Sequence, residues 1–426
     1  MMKYLKQYIL LIASFAVILL AYSNCSQSGF GSGAVNAQIL NASLGNGGGV
    51  IIPPVGSSGG NVVSISVGCG YVNEPCVSVT VCIHGTTQCQ TINNLLLDTG
   101  STGLRIFSGA ISSLTLPGLS DSSGRAIGTC AMYGDGTYQW GPVKTADVQL
   151  GSDVASNINI EIIDFTFGDQ GTKCKAAAGA GGIQDAMATG YNGILGVQGF
   201  MQDCGSYCTT SVSNDLYYGC SGTSCSSETV TLAQQLVNPV GALSADNNGM
   251  MIQLPAVSVS GGANVTGAMY LGIGTQSNNT PASPVVYQAD ANEGFIYTNY
   301  NGHNYQAIID SGSMGYFFPD SSIPTCTGNS GWYCPTAAQA PTGVVELVGQ
   351  MKDVNGANAQ NLGFYVADAN RLYQPNTCFN DLAGPMPAAS GATSFIWGFP
   401  FFTGRSIYLG MEGATSTLGS GIYYAF

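Results

Sequence analysis

One feature of this sequence constrains its fold more than any other: an apolar run leading into Asp-(Thr/Ser)-Gly-Ser occurs twice. NNLLLDTGSTGL carries Asp98, Thr99, Gly100 and Ser101, and YQAIIDSGSMGY carries Asp310, Ser311, Gly312 and Ser313. Each copy is followed by an apolar-apolar-Gly step. Gly196, after Ile194 and Leu195, lies 98 residues beyond Asp98, and Gly398, after Ile396 and Trp397, lies 88 residues beyond Asp310. A lone Asp-Thr-Gly says little more than turn. Two copies in matching context, about half a chain apart, point to a duplicated unit.

The chemistry of such a pair follows from its residue types. An Asp at the end of a buried strand, inside a Gly-containing loop, offers its carboxylate to nearby backbone N–H groups, and the Ser hydroxyl can reach its outer oxygen. If a two-fold axis brings the loops together, two like charges share one site. One pKa then rises and the pair holds a single proton. One carboxyl serves as general base toward a water, and the other as general acid toward a carbonyl oxygen. Aspartic proteases are the standard illustration of this coupling.

Composition excludes other chemistries. The 426 residues carry Lys+Arg 10 against Asp+Glu 23, a formal charge of −13, which excludes a general nucleic-acid backbone binder. Two histidines leave little room for a His-based metal site or a Ser-His-Asp triad. Both are expected to be solvated. Neither Gly100-Ser101-Thr102-Gly103 nor Gly179–Gly182 is followed by Gly-Lys-(Ser/Thr), so neither is a phosphate loop. No metal and no cofactor is expected. With 45% hydrophobic and only 8% charged residues, the bulk is not disordered. Glycine (60 residues) and short runs such as VVSISV, CVSVTVCI and INIEIIDFTF indicate strands and turns. The one helix candidate is TVTLAQQLV, Thr229 to Val237.

The N-terminus has the form of an export signal. Lys3 and Lys6 precede an uncharged apolar run from Tyr8 to Ala21, shorter than the ~20 residues a bilayer span needs. The run ends in Ala21-Tyr22-Ser23-Asn24-Cys25, which resembles a bacterial lipoprotein site with Cys25 as the lipidated residue. Ordinary signal-peptidase cleavage is the alternative. The expected division is a signal peptide at 1–24, a Gly/Ser/Asn-rich tether at 25–60, an N-terminal lobe at 61–250 and a C-terminal lobe at 251–426. The expected address is the outer membrane or cell surface through a lipid anchor, with the periplasm or secretion as the alternative. The 14 cysteines suit disulfides better than zinc in an exported chain, and removing Cys25 from the count leaves an odd thiol.

In order along the chain, these motifs resemble the pepsin-type, two-lobed aspartic proteases, from about residue 62 to the C-terminus. Met132-Tyr133-Gly134-Asp135-Gly136 and the following VKTADVQLG are similar to that family's flap hairpin. Tyr191–Gly196 resembles the segment behind the first Asp loop, Gly267–Gly274 the opening strand of the second lobe, and WGFPFFTGRSIYLGMEG the closing strands. The resemblance implies an all-β, two-lobed fold with pseudo-two-fold symmetry and few short helices. It implies an endopeptidase acting on peptide or protein substrates, in a bacterial, exported branch.

By the same resemblance, Asp98 and Asp310 are the catalytic pair, Thr99, Gly100, Ser101, Ser311, Gly312 and Ser313 support them, and Tyr133, Gly134 and Asp135 form the flap over substrate. Two motifs in one chain imply a monomer. The sequence departs from the family at Arg105, where a flap-supporting Trp is usual, and at Phe399, where an acidic residue is common. It also lacks a Lys-rich inhibitory segment, having no Lys or Arg from Gln7 to Leu104. The alternative on the same scaffold is a catalytically silent surface binding protein or inhibitor.

Overall fold

The computed structural model describes residues 60–134, 137–169, 174, 181–183, 189–372, 375–386 and 393–426. The expected signal segment, Cys25, the tether up to residue 59 and Asp135 of the flap lie outside the described residues.

Alternation builds the strands. In Val62–Val67, Val63, Ile65 and Val67 turn inward while Ser64 and Ser66 stay exposed. In Cys89–Asp98 the alternation ends in four consecutive buried residues, Leu95 to Asp98. Thr102–Phe107 and Gly193–Val197 are buried throughout. Continuous burial is what strands covered on both faces require. These three strands are neighbours: Leu96, Leu97 and Asp98 run parallel to Ile194, Leu195 and Gly196, and Thr102–Phe107 lies antiparallel on the far side of Gly193–Val197.

The second half repeats the construction in a separate seven-stranded sheet. There His303–Ile309 runs parallel to Ser394–Trp397, with Ile308 opposite Ile396 and Ile309 opposite Trp397. The glycine of each apolar-apolar-Gly step is required by close approach. A Cβ on Gly196 would lie 2.8 Å from Ser101 Oγ, and one on Gly398 would lie 1.9 Å from Gly315 O. The larger, sixteen-stranded sheet draws on both halves. Val62–Val67 pairs with Thr266–Leu271, which pairs with Gly249–Gln253, which in turn pairs with Ser406–Gly410.

The first half packs around aliphatic side chains such as Val79, Leu95, Leu104 and Ile160, all buried. The second packs around rings: Phe395 lies 4.7 Å from Trp397 and is stacked at 5.3 Å on Phe318, centroid to centroid. The aromatic-rich stretch beginning at Phe395 is therefore core.

Six disulfides are present among the described residues. Cys69–Cys76, Cys82–Cys89, Cys204–Cys208, Cys220–Cys225 and Cys326–Cys334 close small loops, and Cys130–Cys174 spans 44 residues. Cys378 is a free, buried thiol, the odd one the count requires.

One local expectation differs from what forms. The segment expected as a helix from Thr229 to Val237 holds only a 3-10 turn, Leu232–Gln234, closed by a Thr231/Gln234 capping box. Its backbone is spent on tertiary bonds: Asn159 Nδ2 donates to the carbonyls of Ala233 and Gln235, and Leu236 N donates to the Tyr217 hydroxyl. His84, expected to be solvated, lies 2.7 Å from Asp147 Oδ1 at a half-exposed position; His303 is exposed. Among the described residues the α-helix that is described from end to end is one turn, Tyr207–Thr210, and no helix is long and apolar enough to cross a membrane. The result is a two-lobed, all-β fold.

Candidate active site

The two Asp-Gly loops meet where the halves join. Thr99 N donates to Ser311 Oγ at 3.1 Å, and Ser311 N donates to Thr99 Oγ1 at 2.9 Å. Each hydroxyl continues across: Thr99 Oγ1 donates to Ile309 O at 2.8 Å and Ser311 Oγ to Leu97 O at 2.7 Å. Thr99 and Ser311 are thus spent on joining the loops. Their exposures, 3% and 1%, leave no surface for a substrate.

Within each loop the carboxylate is held the same way. Asp98 Oδ1 accepts Gly100 N at 2.8 Å and its Oδ2 accepts Ser101 Oγ at 2.5 Å. Asp310 Oδ1 accepts Gly312 N at 2.9 Å and its Oδ2 accepts Ser313 Oγ at 2.6 Å. The loops also cross. A Cβ on Gly100 would lie 2.7 Å from Asp310 Oδ1, and one on Gly312 would lie 2.6 Å from Asp98 Oδ1. Each glycine is the floor beneath the other loop's carboxyl, so the two carboxyls share one site.

That sharing has an electrostatic cost. Burial first, and the neighbouring Asp98 second, push the Asp310 carboxyl well above the usual carboxylate range, against the bonds from Ser313 and Gly312. A carboxyl so placed keeps its proton at neutral pH, and the pair can act as acid and base together.

A chamber of about 150 Å³ opens onto the pair, bounded by Tyr133 and Gly134 on one side and by Leu96, Tyr191 and Ile194 on the other. Tyr133 stands at the tip of the hairpin made by Ala126–Met132 and Thr137–Leu150. Its hydroxyl donates to Gln139 Oε1 at 2.6 Å. Hairpin and pair are thus brought together.

Arg105, where the sequence departs from the family it resembles, does not reach into open space. It is 3% exposed, with Nε 3.1 Å from Glu161 Oε2 and a terminal nitrogen 3.2 Å from Asp203 Oδ2. Asp203 Oδ1 accepts the Tyr217 hydroxyl at 2.5 Å. Burial opposes the Arg105 charge, but Tyr133, Glu161 and Asp203 outweigh it and keep the guanidinium protonated. Burial pushes Glu161 up to about 8 and Asp203 to about 6. Arg105 is thus paired with two carboxylates. Arg105 and Asp203 also border a second, larger cavity of about 590 Å³ that shares Gly100, Ser101, Tyr133 and Gly134 with the first.

Sequence reasoning missed one chamber residue, Glu74. It is 5% exposed and lines the same space as Asp98 and Asp310. Its Oε2 accepts Tyr71 N at 2.8 Å and Gly70 N at 3.2 Å. The signal for it was faint: a single acid in an otherwise uncharged stretch, between Asn73 and Pro75.

A family model described as "Protein of unknown function (DUF3443)" matches residues 57–426. No curated protein matches the chain in sequence. Among solved structures, the crystal structure of an aspartic proteinase from Irpex lacteus is similar, with a TM-score of 0.51 and 17% identity over 85% of this chain and 96% of that one. At that identity the likeness is one of fold.

Proposed function

This chain belongs to the DUF3443 family of proteins of unknown function, and from its site we propose that it is an aspartic endopeptidase. The observation that carries this reading is the crossed pair: Asp98 and Asp310 sit in one site, each pinned by its own Gly N–H and Ser hydroxyl, with Asp310 raised far enough to hold the shared proton.

The mechanism follows from that geometry. An extended peptide lies beneath Tyr133 and Gly134. Asp98 takes a proton from a water whose oxygen attacks the scissile carbonyl carbon, while Asp310 gives its proton to the carbonyl oxygen. The tetrahedral intermediate collapses with cleavage of the C–N bond. The amine leaves with the proton held by Asp98, and Asp310 recovers its own. Ser101 and Ser313 keep the outer oxygens oriented throughout. Both carboxyls come from one chain, so the reading needs no second copy.

Export is part of the proposal. Six disulfides favour an oxidising compartment. The apolar run before Cys25 supports a bacterial lipoprotein displayed at the outer membrane or cell surface, meeting peptide or protein substrates there.

The test is cleavage of reduced casein by the processed protein from pH 3 to 7, with and without pepstatin, beside Asp98→Asn. Pepstatin-sensitive cleavage that is absent from the variant is expected. A folded protein that cuts nothing at any of these pH values would return the chain to the reading of a binding protein or inhibitor.

A further inference from the structure

The chamber beside the carboxylate pair has a composition of its own. Its walls are apolar, with Leu96, Ile183, Tyr191 and Ile194 among them, yet it contains a third carboxyl, Glu74. Cavities of this size accept a benzene-sized guest, so one side chain fits. A guest that satisfies both the walls and the acid needs an apolar stem and a charged or donating tip. Lysine and arginine have that form: their methylene stems lie along apolar surface while the head seeks a polar partner.

Glu74 is built in rather than draped over the surface. Its Oε2 is engaged by Tyr71 N and Gly70 N, and Oε1 has no protein partner among the described residues. The preceding residue locks the loop to the opposite lobe. Asn73 Nδ2 donates to Met314 O at 2.7 Å and to Phe379 O at 3.1 Å, while its Oδ1 accepts Phe379 N at 2.7 Å. The Cys69–Cys76 disulfide closes the base of the same loop. A carboxyl held this firmly has little freedom to turn away to solvent. Burial pushes Glu74 up to about 7, so the bare carboxylate is disfavoured and an incoming cation supplies what water no longer does.

The neighbouring space points the same way. Among the described residues the larger cavity adds Glu293 and Glu412, and across both cavities the one lining cation is Arg105, already paired with Glu161 and Asp203. Among those residues no free positive charge stands ready for an acidic substrate.

We propose that the chamber selects peptides carrying a lysine or arginine, whose stem lies along Leu96, Tyr191 and Ile194 and whose cation meets the Glu74 carboxylate. This rests on the peptide-cleaving reading above, so its test has one arm that needs cleavage and one that does not. In the first, matched octapeptides differing only in lysine or norleucine, scanned across positions flanking the scissile bond, are cut by the wild type and by Glu74→Gln. At one fixed position the lysine peptide is expected to exceed its norleucine partner at least tenfold in kcat/KM, and the ratio is expected to fall toward one in Glu74→Gln.

In the second arm the same peptides bind Asp98→Asn, followed by calorimetry, with the lysine peptide about tenfold tighter. A wild-type ratio near one at every position overturns the proposal even if Glu74→Gln does not fold. So does a ratio that survives Glu74→Gln, or equal binding of the two peptides to Asp98→Asn. Absence of any cleavage together with selective binding of the lysine peptide would sink the endopeptidase reading and leave this one standing.

Discussion

Thr99 and Ser311, 212 residues apart in the chain, each hold the other's backbone N–H with a side-chain hydroxyl. The two hydroxyls then donate onward into the opposite loop. The alignment of Asp98 with Asp310 is therefore set by a closed ring of bonds in which every donor and acceptor is buried.

Breaking that ring has a measurable cost. Thr99→Val keeps the shape and removes the hydroxyl, leaving Ser311 N without its acceptor. A loss of about 1–3 kcal/mol is expected, the cost of an unsatisfied buried group, while Thr99→Ser retains most of the stability. Urea unfolding midpoints of the three proteins check this. Equal midpoints for Val and Thr would show that the ring does not bind the loops.

Buried carboxyls set the pH dependence of stability. Burial raises Glu74 and Asp381 to about 7, Glu161 to about 8 and Asp203 to about 6, and it raises Asp310 as well. Unfolded carboxyls titrate near pH 4, so between about pH 4 and 8 the folded chain holds protons that the unfolded chain has released. Stability should be greatest near pH 4 and fall as pH rises through these folded-state values. The depressed carboxyls Asp121 and Asp147 act in the opposite sense below that range.

Asp381 is the sharpest test, being fully buried with neither carboxylate oxygen hydrogen-bonded to another of the described residues. Asp381→Asn should remove up to about 4 kcal/mol of the stability difference between pH 4 and pH 8. Unfolding free energies at the two pH values give the slope. An unchanged slope would remove Asp381 from the explanation.

The Asp-Gly loops and the glycine steps were legible in the sequence because their chemistry is local. An Asp at a strand end beside Gly and Ser, and a glycine where another backbone comes within contact distance, are demands that a few adjacent residues must meet. Glu74 was not legible, because a lone acid in a turn reads as a solvated one until the fold closes a chamber around it. The partners of Arg105 could not be named either. Glu161 and Asp203 reach it from distant segments, and only the assembled sheet makes them neighbours. The missed helix at Thr229–Val237 failed for the converse reason: its local pattern is helical enough, but Asn159 and Tyr217 claim its backbone.

Arg105→Met tests the buried cluster. It leaves Glu161 and Asp203 facing each other without a cation, and a loss of about 3–5 kcal/mol is expected from stranding buried charge. The loss should be larger at pH 8 than at pH 5, because both acids are able to protonate at the lower pH. Urea melts at the two pH values read it, and a pH-independent loss would mean that Arg105 acts through packing alone.

Cys378 gives a direct chemical check of the core. Its thiol is buried and pushed up to about 12 by that burial, and the thiolate is the reactive form. A thiol reagent should therefore find no Cys378 in the native protein at pH 8 and one equivalent after denaturation without reductant. Rapid native labelling at residue 378, located by peptide mapping, would contradict the packing described here.

The strand pairing also imposes an order in time. Asp310 N is held by Trp397 O, and the strand before it lies against Ser394–Trp397, so the second loop has no fixed position until residue 397 has been made. At ~5–20 residues per second, a growing chain carries the first Asp loop for roughly 15 to 60 s before its counterpart can dock. Through that interval Asp98 is a solitary carboxylate with no neighbour to share a proton. Any chemistry needing both acids begins only once residue 397 has been added and has docked, and a chain cut short before it carries half a site.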